Sequence, residues 1–202
     1  MSKSISRRTF LQTSGVTLGA SALHSAAAIE NTLNPSLVLN DVTGVTQQLA
    51  HYLVKSRWEN VPKDARKEAV RSVFNWVGCS LGGAHHVTTD RAMSALAEFT
   101  GKPEATVLGR VERLDIQHAA LMNGITSHVL DYDDTHLETI IHPAGPVASA
   151  ILSLGERNKI SGKDFMHAFI LGVEAECRIG KAVYPSHYER GYHITGTAGV
   201  FG

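Results

Sequence analysis

Cysteine is scarce: Cys79 and Cys177 are the two in 202 residues, and no CxxC pair occurs. One disulfide at most could form, and both residues sit in apolar, helix-like segments where buried thiols are the plainer expectation. Excess charge is also missing. Nineteen basic residues balance nineteen acidic ones, with no basic run. Three of the cations, Lys3, Arg7 and Arg8, lie in the first ten residues, so the remainder is slightly acidic and ill suited to nucleic acid. No apolar run is long enough to span a bilayer stably. There is no phosphate loop, since Gly155 lies seven residues before Gly162-Lys163 and no strand precedes it. Internal repeats and low-complexity tracts are absent too. What remains is a globular composition, 43% hydrophobic and 19% charged.

The chain begins with an export pattern. Ser6-Arg7-Arg8-Thr9-Phe10-Leu11-Gln12 sets paired arginines before a weakly apolar run, and Ser25-Ala26-Ala27-Ala28 supplies a small-residue cleavage site. The sequence predicts a twin-arginine signal peptide over 1–28, handled by the Tat machinery, and a periplasmic mature protein. An ordinary amphipathic N-terminal helix is the alternative. Residues 29–40 read as a linker, and 41–202 as one helical domain.

Within that domain the apolar period is helical almost throughout. Helices are expected over Thr43–Trp58, with Val45, Leu49, Tyr52 and Leu53 on one face, and over Ala65–Leu81, with Ala69, Val73, Trp76, Val77 and Leu81 inward. Pro62 fits a first-turn position, and Gly82-Gly83 a helix end. Thr89 or Asp90 would cap a third helix to about Phe99, and Ala105–Gly109 reads as extended. Further helices are predicted over Asp115–Leu130, from Pro143 to about Asn158, and from the capping box Ser161-x-x-Asp164 to about Val183. The fold class is all-α. The ending Thr197-Ala198-Gly199-Val200-Phe201-Gly202 reads as the opening of a further helix, so the sequence suggests a fragment.

Chemistry concentrates where the period breaks. His128, Asp131, Asp133, Asp134, His136 and His142 fall within fifteen residues, and crowded carboxylates raise one another's pKa. At least one is a candidate proton carrier. His142-Pro143 opens a helix, whose N-terminal N–H groups attract anions. His193-Ile194-Thr195-Gly196-Thr197 is a second place where backbone could approach a ligand closely. Acid/base groups beside an anion-binding helix end suit a carboxylate substrate. The plainer alternative is that Asp-Asp-Thr caps a helix or braces a turn. An EF-hand reading fails, because His136 stands where that loop needs Gly and His142 where it needs an acid. A transition-metal site remains open, although no HxxxH spacing supports it. His51, His85, His86, His118 and His167 read as surface or packing residues.

These strings resemble the MmgE/PrpD family, which includes 2-methylcitrate dehydratase and cis-aconitate decarboxylase. The resemblance is carried by Asn123-Gly124, by His128-x-Leu130-Asp131-Tyr132-Asp133-Asp134-Thr135, by His142-Pro143, by Gly172-Val173-Glu174, and by Gly191-Tyr192-His193-x-Thr195 with its trailing Gly-x-Phe-Gly. It covers roughly 43–202. It implies the N-terminal part of a helical domain, with the family's α+β domain missing. It implies cofactor-independent dehydration, decarboxylation or isomerisation of a small polycarboxylate, usually in a homodimer. Its site residues match Asp131, His142 and His193 as catalytic groups and Thr135 as a substrate-binding one, with no metal. Two other readings stand beside it: a catalytically incomplete helical remnant that binds a carboxylate, and a periplasmic metal-dependent hydrolase.

Overall fold

The computed structural model describes residues 44–202; the predicted signal peptide and linker lie outside the described residues. Eight helices are found among the described residues: α1 Val45–Lys55, α2 Lys63–Gly83, α3 Val87–Leu96, α4 Ile116–His128, α5 Ala144–Asn158, α6 Gly162–Val183, α7 Ser186–Glu189 and α8 Ile194–Ala198. A two-stranded antiparallel hairpin, β1 Ala105–Thr106 with β2 Arg113–Leu114, is their only sheet. The expected extended stretch therefore shrinks to two residues and acquires a partner that the sequence pattern did not signal.

The helices pack into two main apolar layers. In one, Ala69 and Trp76 of α2 meet Ala144, Val147 and Ala148 of α5 and Phe169 of α6. The Trp76 indole N–H donates to Ser149 Oγ at 3.2 Å, so the largest buried side chain is also satisfied. In the other, Ala119 and Met122 of α4 meet Ala105, Val107 and Leu114. Asn123 joins the hairpin to α4: its Oδ1 accepts from Leu108 N–H and its Nδ2 donates to the Thr106 carbonyl, each at 2.9 Å. Its place in the Asn123-Gly124 string is thus structural. Among the described residues no helix is long and apolar enough to cross a membrane.

Several sequence expectations shift. The first helix stops at Lys55, and Trp58–Asn60 is a separate 3₁₀ turn. Val45 and Leu81 face outward, 40% and 53% exposed. The buried face of α2 is carried by small residues, Ala65, Ala69, Ser80 and Gly83, around Trp76 and Cys79, which an apolar stripe does not reveal. Pro62 and Pro143 occupy cap positions, one residue before α2 and α5. The third helix is capped by His86, whose Nδ1 accepts from Thr88 N–H, and it ends at Leu96. Thr89 is instead buried against the Gly83 carbonyl, and Asp90 pairs with Arg110. Asp115 caps α4, which ends at His128 rather than Leu130. The capping box at Ser161 and the end of α6 at Val183 match expectation. Cys79 and Cys177 are both thiols, the first buried and the second part-buried.

Candidate active site

Three segments converge at the N-terminal end of α5. The first is the C-terminal end of α4, carrying His128. The second is the loop 129–143, and the third the start of α8, capped by His193. The loop turns sharply because Asp131 adopts a left-handed conformation with φ 52°, which an aspartate tolerates. A second turn is closed by His136 and Ile141, which exchange a backbone bridge. Ile140 within it also has positive φ, a conformation rare for a β-branched residue. This turn delivers His142, whose backbone N–H donates to Thr195 Oγ1 at 3.0 Å. The two separated sequence strings are thereby tied together.

The rings meet around His128. Its centroid lies 5.0 Å from that of His142 and 5.9 Å from that of His193. The carboxylate that faces His128 and His142 is Asp133, whose side chain is 1% exposed. His128 Nδ1 lies 3.1 Å from both Asp133 oxygens, and His142 Nδ1 3.6 Å from one. Asp133, rather than Asp131, is thus the carboxylate within hydrogen-bond distance of His128. Asp131 is exposed, and one of its carboxylate oxygens lies within 4.8 Å of ligand atoms of His128, Asp133 and His142. The hydrogen bond that His128 donates to Asp133, against the cost of burial, raises the His128 pKa, and the Asp131 charge adds to it.

Hydrogen bonding assigns the ring protons. His142 Nδ1 faces three acceptors: the Asp134 carbonyl at 2.9 Å, Thr135 Oγ1 at 3.3 Å and an Asp133 oxygen. Nδ1 therefore carries the proton, and Nε2 presents a lone pair. His193 is the reverse. Its Nδ1 accepts from Gly196 N–H at 3.0 Å, capping α8, so the neutral ring carries its proton on Nε2. One histidine is built to accept and the other to donate.

The helix end behaves differently from expectation. Ala144 N–H, the first of α5, donates to Asp134 Oδ1 at 3.1 Å, and Pro146 has no N–H to offer. The Asp134 carboxyl also accepts from Ser72 Oγ. The helix N-terminus is thus already capped by a carboxylate of its own chain. Burial raises the Asp134 pKa to about 6 in spite of these bonds. His128, Asp131, Asp133 and His142 could together offer two nitrogens and two oxygens to a divalent transition ion. All four predicted site residues lie in this region: Asp131, Thr135 and His142 in direct proximity, and His193 across the His128 ring. The spacing did not mark out His128, Asp133 or Asp134 individually.

The family model for the MmgE/PrpD N-terminal domain matches residues 47–202. Among curated proteins, the chain is 29% identical to a cis-aconitate decarboxylase of Aspergillus terreus, over 80% of this chain and 34% of that protein. It is 37% identical to the cis-aconitate decarboxylase of Mus musculus, over 67% of this chain and 28% of that protein. It is 26% identical to the cis-aconitate decarboxylase-like protein oryM of Aspergillus oryzae, over 74% of this chain and 33% of that protein. The chain spans about a third of the length of these relatives.

Proposed function

The chain belongs to the MmgE/PrpD family, and from that premise we propose that it serves lyase chemistry on a small polycarboxylate, carried by acid/base groups without a cofactor. One observation carries the reading: an accepting His142 and a donating His193 both neighbour the ring of His128, which is itself biased toward the cation. In a dehydration, His142 Nε2 takes the proton from the carbon beside a carboxylate, and that electron pair forms the new double bond. The hydroxyl leaves as water with the proton of His193 Nε2. In a decarboxylation, the bond to a carboxylate breaks, carbon dioxide leaves, and the electron pair left on carbon takes its proton from the same donor. His128 and Thr135 hold substrate carboxylates, Asp133 orients the His128 ring, and the nearby Asp131 charge favours its cation. Stopping after proton abstraction and returning the proton to the other face gives an isomerase.

The test is proton NMR of the purified chain in D2O with cis-aconitate, 2-methylcitrate and related tricarboxylates. Deuterium entering beside a carboxylate, or loss of substrate, is the expected result. His142→Ala and His193→Ala should each reduce the rate by about 10²-fold or more; near-normal rates in both variants sink the assignment. Export by the Tat route to the periplasm and assembly as a homodimer belong to the same reading. The first is supported by Arg7-Arg8 and the second by exposed Phe74 and Tyr132 flanking an apolar groove on α2.

A metal-dependent hydrolase is the second reading, favoured by the two-nitrogen, two-oxygen set of His128, Asp131, Asp133 and His142. Stoichiometric zinc in the purified protein, lost in His128→Ala, would shift preference to it.

A further inference from the structure

A carboxyl group with no place in the chemistry above stands at the junction of α2, α5 and the loop that carries His142. Asp134 accepts from Ser72 Oγ of α2 through one side-chain oxygen and from Ala144 N–H of α5 through the other. Its backbone carbonyl accepts from His142 Nδ1 at 2.9 Å. Pro143, at the cap position of α5, has no side-chain acceptor, so Asp134 supplies from ten residues earlier what a cap residue ordinarily supplies. A negative charge at that helix end is also favourable. Two side-chain anchors therefore fix the peptide plane whose oxygen receives the His142 proton.

We propose that Asp134 is a positioning residue, which locks His142 in the tautomer with Nδ1 protonated and so keeps the Nε2 lone pair open. The inference rests on His142 as the base of the preceding section, but its geometry is independent of which substrate is used. A free imidazole side chain favours the opposite tautomer, so the lock has a consequence that spectroscopy reads. Without the anchors the carbonyl is released, Nδ1–H keeps only the more distant acceptors Thr135 Oγ1 and Asp133, and the ring's own preference for the opposite tautomer is no longer overcome. Those two acceptors do not share the Asp134 anchors.

Long-range ¹H–¹⁵N correlation spectra of the uniformly labelled chain test this. Wild-type His142 should show a protonated Nδ1. Asp134→Ala should give a mixed or reversed His142 tautomer. Asp134→Asn should restore the wild-type pattern, because its Oδ1 still accepts from Ala144 N–H and its amide donates to Ser72 Oγ. Ser72→Ala removes one anchor only and should shift His142 in the same direction by a smaller amount. This variant decides the matter if Asp134→Ala does not fold. An Nε2-protonated wild-type ring, or a His142 tautomer unchanged in both Asp134→Ala and Ser72→Ala, overturns the proposal. The two readings fail separately. A tautomer shift in a chain that leaves every polycarboxylate untouched removes the lyase reading alone. Turnover with a His142 tautomer indifferent to Asp134 removes the positioning role alone.

Discussion

Glu176 is fully buried on α6, and neither of its carboxylate oxygens has a hydrogen-bond partner among the described residues. Burial, with the Asp134 charge adding to it, raises its pKa from 4.5 to about 8. At neutral pH it is therefore mostly a neutral acid. Below about 4.5 the folded and unfolded chains are both protonated at this position, and it adds no pH dependence. As pH rises toward 8 the unfolded chain ionises freely while the folded one resists, so stability falls across that window and levels off above it. The cost at the plateau is on the order of 5 kcal/mol. Glu176→Gln, an isostere of the neutral acid, should flatten this slope and be the more stable protein at pH 8, as judged by urea unfolding at pH 5 and pH 8. Equal slopes in the two proteins would mean that the carboxyl is solvated. At this scale the sequence was informative about identity and silent about partnership. The crowding of carboxylates and histidines between His128 and His142 marks the region. Only the left-handed turn at Asp131 decides that Asp133, not Asp131, faces the rings. Spacing along a chain does not report which way an irregular loop turns each side chain. Nor does one acid on an amphipathic helix announce that it is buried.

Elements are positioned here by small residues. Gly83, the last residue of α2, lies so close to α4 that an added Cβ would sit 2.1 Å from the Thr126 carbonyl oxygen and 2.7 Å from a Val129 methyl. Backbone cannot yield as a side-chain tip can, so Gly83→Ala must push the two helices apart. The expected cost is about 1–3 kcal/mol, or a fall in Tm of roughly 3–10 °C for a domain of this size. The shift would also displace His128, two residues beyond Thr126. Gly78→Ala on the same helix is the control, since its Cβ meets nothing within 4 Å. There alanine's better helix propensity should raise stability by about 0.5–1 kcal/mol. Equal thermal melts for the two variants would refute the close-approach argument. Helices with a strong local signal were legible: Ser161-x-x-Asp164 fixes the start of α6, and Pro143 the start of α5. The start of α3 was not. Thr89 and Asp90 have the chemistry of caps, but His86 performs that role one turn earlier and frees them for tertiary bonds. The second hairpin strand was invisible because two residues, one charged, carry no period.

For the whole molecule, the features that make it recognisable are unevenly distributed. The resemblance was legible chiefly because its longest strings lie in the loop 129–143 and around His193, outside the helix interiors where Asn123-Gly124 and Gly172-Val173-Glu174 serve packing. Residues 47–202 match the family model, and the proposed leader, residues 1–28, lies before that match. The two parts thus make separate claims: the domain concerns a reaction class, the leader a compartment. A twin-arginine leader depends on both guanidinium groups, and lysine keeps the charge but not the planar fork that a receptor can read. Arg7→Lys with Arg8→Lys should therefore hold the protein in the cytoplasm at unchanged size, while the wild-type chain appears in the periplasmic fraction with about 28 residues removed. Fractionation with mass measurement of the exported species reads both outcomes at once. A wild-type chain that stays uncleaved in the cytoplasm would overturn the export reading and leave the site untouched. It would then turn the substrate search toward carboxylates of the cell interior, since the same three histidines would meet a different pool of acids.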